Sequence, residues 1–430
     1  MTVQPSGLAL LAAMSLLTPA ALAQPASPDP EEVPASPDEP DATDADLAVL
    51  DLAATDEAHL QIFGFMDASW TGYRLSAGSL WRGYLPTETT FGIGNLNLYL
   101  TRSLAERWRS FFEVRFTYAP ATATRVDGSA NHATAPDPAN AQRPLTWGGV
   151  SIERAYLEYD AADTLTVQAG AFLTPYGIWN VDHGSPAIVP IAPPWIIGEE
   201  LFPKQQTGLH LYGKRAVGGY TLAYHATVSN GRGPFQAFRD LDGKPALGAR
   251  LELTAPWLGL THLGVSGYRG RFTDRPADSL GADAMGNLIV VERPGVSYDE
   301  WSAGADVLIE RGPLRLQAEL LANQRSYRDG ERALQSGLAV PDGRFVGGYL
   351  LAGYRFDRFW QVMPFVSSEL ARLRPGAVSH DVAAYIETAG LNFRPVPNVV
   401  LKVQATALTV KNVPLTGVVE QLSLQAAWAF

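Results

Sequence analysis

The chain of 430 residues contains no cysteine, which removes disulfide scaffolds and cysteine-ligated zinc or iron–sulfur sites. Charged residues are scarce, at 18%. Lysine and arginine are absent from residues 1–58, a stretch that holds 11 of the 44 acidic residues. The other 33 acids face 33 basic residues, so the net charge of −11 belongs to the N-terminal segment and residues 59–430 are formally neutral. A nucleic-acid partner is not expected, because displacing counter-ions from phosphate takes a basic surplus. Long apolar runs are missing too. None approaches the ~20 residues of a membrane-spanning helix, and the helical periodicity that a cytosolic α/β enzyme of this size requires is almost absent.

What is present begins with an apolar run over residues 8–17, followed by Ala21-Leu22-Ala23 before Gln24. That small-x-small pattern makes residues 1–23 a signal peptide, although no Lys or Arg precedes the run. Residues 24–58 are acidic and Pro-rich, the composition of a disordered periplasmic segment.

From Leu60 onward the hydrophobic period is two. Leu96, Leu98 and Leu100 alternate with Asn95, Asn97 and Tyr99; Leu247, Ala249, Leu251 and Leu253 alternate with Gly248, Arg250, Glu252 and Thr254. Side chains of a strand point to opposite faces in turn, so each such segment has one apolar and one polar face. Sixteen segments qualify: 60–72, 91–101, 108–119, 150–160, 164–173, 206–213, 219–229, 245–254, 260–271, 299–309, 314–324, 345–356, 360–371, 383–393, 399–410 and 418–430. Short connections alternate with long polar ones, as in an outer-membrane barrel of even strand number. The expected fold over 59–430 is therefore all-β: a 16-stranded antiparallel transmembrane β-barrel with short periplasmic turns and long extracellular loops. A large soluble sandwich or propeller also alternates, but its outward faces are charged. Here Trp70, Tyr73, Tyr118, Tyr159, Trp257, Trp360 and Phe393 sit near segment ends, where an interfacial girdle belongs.

The last segment places Leu422, Leu424, Ala426, Trp428 and Phe430 on one face and ends on Phe430. A terminal Phe closing an alternating strand resembles the assembly signal of bacterial outer-membrane proteins, which implies the barrel assembly machinery as a partner. The chain is accordingly expected in the outer membrane of a Gram-negative bacterium, among its lipid and lipopolysaccharide.

If the Leu-rich face meets lipid, parity sends Arg109, Glu113, Arg115, Arg154, Glu158, Arg250, Glu252, Arg315, Glu319, Arg355 and Lys402 to the pore, with Asp306 and Glu369. Such a mixed wall suits an aqueous channel with a modest ion preference. The connection over 174–205 is unusually apolar for an exposed loop and is expected to fold into the barrel as a constriction, carrying Trp179, Asp182, His183, Trp195, Glu199, Glu200 and Lys204. Packing against a neighbouring barrel or the membrane surface is the competing placement.

The wording of Arg154-Ala155-Tyr156-Leu157-Glu158-Tyr159, of Gln168-Ala169-Gly170-Ala171-Phe172-Leu173-Thr174-Pro175-Tyr176-Gly177 and of Gln206-Thr207-Gly208-Leu209 resembles the porins grouped as the phosphate-selective O and P type. The resemblance implies a 16-stranded barrel, usually trimeric, whose third loop enters the channel, and hence a homotrimer. Those porins line the constriction with Arg and Lys, whereas the loop here sets one Lys204 against Asp182, Glu199 and Glu200, so phosphate selectivity is not carried over.

Enzymatic readings are poorly supported. Ser229-Asn230-Gly231-Arg232 resembles the Ser-Asn-Gly-Arg of outer-membrane phospholipase A, but His225 precedes Ser229 by four residues, roughly 13 Å along a strand. His210 and His225 are the only histidines whose strands bring them near each other, and polar lumen residues explain both. No catalytic residue, metal or cofactor is expected. The sequence reads as an outer-membrane porin for passive diffusion of small hydrophilic solutes or ions. A non-conducting barrel acting through its long loops, as an adhesin or structural surface protein, is the alternative.

Overall fold

The structure, a computed structural model, describes residues 60–76, 85, 88–118, 147–180, 184–198, 201–232, 243–274, 279–282, 288–291, 296–327, 343–356, 361–375, 382–411 and 417–430. The signal-peptide and periplasmic-segment assignments over 1–58 lie outside these residues, as do Trp360 and the loop residues Asp182, His183, Glu199 and Glu200. The strands are β1 (Gln61–Leu75), β2 (Thr90–Ala105), β3 (Trp108–Tyr118), β4 (Trp147–Ala162), β5 (Leu165–Leu173), β6 (Gln205–Val217), β7 (Tyr220–Ser229), β8 (Ala246–Ala255), β9 (Leu260–Asp274), β10 (Ser279–Ala282), β11 (Leu288–Val291), β12 (Val296–Arg311), β13 (Leu314–Tyr327), β14 (Gly343–Tyr354), β15 (Met363–Pro375), β16 (Val382–Val396), β17 (Val399–Lys411) and β18 (Gly417–Ala429). One helical turn, α1 (Trp195–Gly198), interrupts the connection between β5 and β6.

Sixteen of these strands form one closed antiparallel barrel in which each pairs with its neighbour along the chain. The exception is β9, which pairs with β12, because β10 and β11 make a separate two-stranded hairpin within that connection. The sixteen barrel strands match the sixteen periodic segments. The hairpin leaves no trace in the periodicity, since four-residue strands are too short to show a period.

Closure comes from β1 and β18, paired from Phe65↔Ala429 to Leu75↔Val419. Phe430 extends the ladder by exchanging both backbone hydrogen bonds with Gly64, each at 2.9 Å. With every strand paired on both sides, the barrel has no edge, the condition for a sheet to sit in hydrocarbon.

The two faces are sorted as alternation requires. Leu320, Leu350 and Val366 are 67%, 56% and 58% exposed on the outside. Residues of opposite parity, among them Asn97, Glu113, Glu319 and Lys402, are buried on the inside. In water this would place the apolar face on the wrong side; a barrel inside out in this sense is built for a bilayer.

Strands approach closely at Gly170, which pairs with Tyr156 and Gly208. Its φ is +135°, and a Cβ there would lie 2.3 Å from the Ala155 carbonyl oxygen. Gly170→Val combines backbone strain with overpacking, so we expect a loss of about 2–4 kcal/mol in urea unfolding of the vesicle-inserted barrel. An unchanged unfolding midpoint would contradict the close approach.

Candidate functional site

The barrel interior is built by register. Glu113 stands opposite Arg154, and Arg109 opposite Glu158. Arg154 Nε donates to Glu113 Oε2 at 2.7 Å, Asn97 Nδ2 donates to Glu113 Oε1 at 2.9 Å, and the Arg154 guanidinium lies 4.5 Å from the Phe111 ring centroid. Arg109 forks onto Asp160, at 2.6 and 3.0 Å, with its Nε 3.5 Å from Glu158. Glu158 also accepts from Gln168 and from the Tyr212 hydroxyl. Each of these inward charges thus meets an opposite charge or a donor, as buried ions require.

Further round the same interior wall, Arg250 donates to Glu252 at 2.8 Å and to Asp306 at 2.9 Å, the latter two strands away from its own. Gly264, on β9 between them, makes that reach possible: a Cβ there would be 2.5 Å from Arg250 Nη2 and 2.4 Å from Asp306 Oδ1. Arg315 pairs with Glu310 at 3.1 Å. Arg355 lies past the end of β14, exposed in the turn, its backbone N–H bonded to the Pro313 carbonyl. The strand ends at Tyr354, so alternation no longer fixes where residue 355 points.

The connection between β5 and β6 is bonded to inward-facing side chains on many strands. Lys402 of β17 donates to the carbonyls of Ser185, Ile188 and Pro190, at 2.6, 2.7 and 2.8 Å. Asn392 of β16 donates to the Val189 carbonyl, and Gln404 accepts from the Ile191 N–H. Glu369 of β15 accepts from the Trp195 N–H at 2.7 Å, and Glu319 of β13 from the Trp179 N–H at 3.2 Å. Ser302 and Asn323 both reach the Leu201 carbonyl, and Ser185 donates to Asp67 of β1. Tyr176 bonds to Thr227 of β7 at 2.6 Å, and burial pushes its phenol up to about 12.

Apolar contact follows the same path. Trp179, Ile196, Leu201 and Phe202 are buried against Tyr268, Phe345 and Tyr349 of the wall, and the Trp195 ring packs on Phe345 at 5.8 Å. The neck of the connection is tied by Thr174, whose N–H bonds to the Lys204 carbonyl at 3.0 Å.

Lys204 leads to a residue that alternation misses. Glu153 accepts from Arg115 at 3.2 Å and lies 3.9 Å from Lys204 Nζ. Parity assigns it to the lipid face, but register slips beside it: Glu113 pairs with Arg154 while Val114 pairs with Ile152. The resulting β-bulge turns both Glu153 and Arg154 inward. Asp160 is within reach of the parity argument, two residues from Glu158.

His210 and His225 do meet, with Nε2 to Nδ1 at 3.0 Å, and His210 Nδ1 bonds to Gln168. No group of three or more metal-ligating residues gathers there or elsewhere among the described residues. His225 faces His210, and the Ser229 hydroxyl accepts from the Gly231 N–H, so the described hydrogen bonds do not couple that serine to a base.

No protein-family model matches the chain, and no curated protein matches it in sequence. Among solved structures it is similar to a loop L8 deletion mutant of OmpT, an outer membrane protein of Vibrio cholerae, with a TM-score of 0.51 and 8% identity over 87% of this chain and all of that one. It is similar to an anion-selective porin from Comamonas acidovorans, with a TM-score of 0.52 and 13% identity over 86% and 99% of the two chains. OprB of Pseudomonas putida gives 0.51 and 11% over 90% and 97%. At such identities the likeness concerns the fold, which is that of 16-stranded outer-membrane porin barrels.

Proposed function

We propose that the chain is a porin of the Gram-negative outer membrane, giving passive diffusion of small hydrophilic solutes or ions through a channel narrowed by the 174–205 connection. One observation carries this reading: the connection's backbone is bonded by inward side chains of β12, β13, β15, β16 and β17, which supports a path across a polar interior. No chemistry is involved. Paired charges line an aqueous path, and local fields at Arg109, Glu153 and Lys204 bias which ions enter. The O and P type kinship and a homotrimer belong to the same reading; phosphate selectivity does not. The anion-selective porin and OprB support the architecture and leave the solute of this chain open.

The burial of Glu113, Arg154, Arg250, Glu319 and Lys402 favours a second reading, a barrel that does not conduct and works through its long loops. Planar-bilayer recording of the refolded chain separates the two. A porin gives stable open steps, and the reversal potential in a KCl gradient reports whether basic or acidic groups dominate. Silence from correctly folded protein supports the second reading. Replacing residues 193–202 with a short Gly-Ser linker is expected to raise conductance, and an unchanged conductance would place the connection outside the path. Lys402→Met strands three carbonyls, so we expect urea unfolding to show a loss of about 2–4 kcal/mol, together with larger current fluctuations.

A further inference from the structure

Between β5 and β8 the inner wall carries a pair of side chains that the ion pairs do not use. His210 of β6 and His225 of β7 set Nε2 and Nδ1 3.0 Å apart. Their rings lie 19° from parallel, and the Tyr212 ring stacks on both. Gln168 of β5 fixes which nitrogen holds the proton. Its amide N–H donates to Glu158 at 3.1 Å, so its oxygen faces His210 and accepts from Nδ1–H at 2.9 Å. His210 Nε2 therefore bears a lone pair, and the proton between the rings belongs to His225 Nδ1. Metal-ligating histidines are set in the same way, the second ring nitrogen donating to an acceptor that fixes the tautomer and the ring.

Two nitrogens 3.0 Å apart suit a single metal ion. With metal–nitrogen bonds of ~2.05 Å they subtend about 94°, the cis angle of a square plane or an octahedron. A tetrahedral ion would need them about 3.3 Å apart. Uptake trades the hydrogen bond for two coordinate bonds. Each ring turns its lone pair off the N···N line, and the His225 proton moves to Nε2 through water; nothing is oxidised or reduced. The surrounding charge favours a cation. Arg250, directly across from His225, is answered by both Glu252 and Asp306, and Arg109 by both Glu158 and Asp160. Each network thus carries a surplus carboxylate, of which Lys214, on the same face of β6 as Tyr212, offsets one. Thr227, the next inward residue of β7, bonds Tyr176 of the 174–205 connection, so the pair lies just on the short-turn side of that anchor.

We propose that His210 and His225 bind a divalent transition-metal ion on the inner wall, copper(II) before nickel(II), with water in its remaining positions. Imidazole nitrogens at cis positions suit these two ions, and copper stands highest in the divalent affinity order. Magnesium and calcium take oxygen ligands and are not held. Among the described residues no third protein donor gathers, which makes the site a weak one. Weak binding lets an ion both enter and leave a lumen. The site needs only an inward wall that water reaches, so it does not rest on the chain conducting.

The test is titration of the refolded full chain with copper(II) chloride, followed by electron paramagnetic resonance. Half-saturation is expected at micromolar copper, with splitting from two nitrogens. H225Q is expected to bind about 100-fold more weakly. The H210Q/H225Q double variant measures copper held at the other histidines. Equal affinity in that variant overturns the proposal, and so does a parent spectrum with fewer than two nitrogens. Saturation only above about 1 mM overturns it as well. Gln168→Leu keeps both ligands but frees the tautomer, so about 10-fold weaker binding with the two-nitrogen spectrum retained is expected. An unchanged affinity there would overturn the positioning role of Gln168. Heat-modifiable mobility on gels verifies folding of each variant. If H210Q does not fold because Gln168 loses its partner, H225Q leaves that bond intact and decides the matter alone. Binding is read without any current, so failure here is distinguishable from failure of the porin reading.

Discussion

Backbone hydrogen bonding is the constraint on which the rest of this structure depends. A peptide group in hydrocarbon has no water to turn to, so a membrane-spanning sheet must pair every strand on both sides. The pairing of β1 with β18, carried to the last residue by Phe430 and Gly64, meets that demand. Once the ladder is closed, alternation has only one consistent sorting: Leu320, Leu350 and Val366 outward, Glu113, Arg154 and Lys402 inward. The electrostatics of the interior is therefore a consequence of closure.

Inside, charge is handled locally. Arg154 meets Glu113 across one ladder rung, and Arg250 reaches Asp306 over the gap left by Gly264. These pairs neutralise wall charge where it arises. Backbone groups of the β5–β6 connection take up much of what remains: Lys402 directs its three protons to carbonyls, while Glu319 and Glu369 accept peptide N–H groups. A loop rich in Trp, Ile and Pro has few polar side chains of its own, so the wall supplies the partners.

The sixteen barrel strands are legible in the sequence because a two-residue period sustained over eight or more residues fits little besides a strand, and because turn residues punctuate it. The inward charged residues follow from the same period wherever the ladder is regular. Legibility stops where regularity does. The bulge beside Arg154 turns Glu153 inward against its parity, and no single-sequence signal marks it. Arg355 falls one residue past the end of its strand, where alternation has no meaning. Which strand holds which part of the 174–205 connection is also unreadable, because Lys402 and Ser185 are brought together by tertiary geometry alone. His210 and His225 are predictable neighbours because consecutive strands place them in reach; no third ligand joins their mutual hydrogen bond among the described residues.

The bond between Gly64 and Phe430 has a consequence in time. A chain is made from its N-terminus, so β1 exists long before the strand that completes it. Until Phe430 emerges, the first strand presents a bare row of donors and acceptors, an invitation to wrong partners. The barrel cannot close piecemeal: closure joins the two strands farthest apart in sequence, the kind of contact that is intrinsically slow to form. A chain cut short by even a few residues would lose that pairing first, leaving an open sheet at the seam where a membrane tolerates it least.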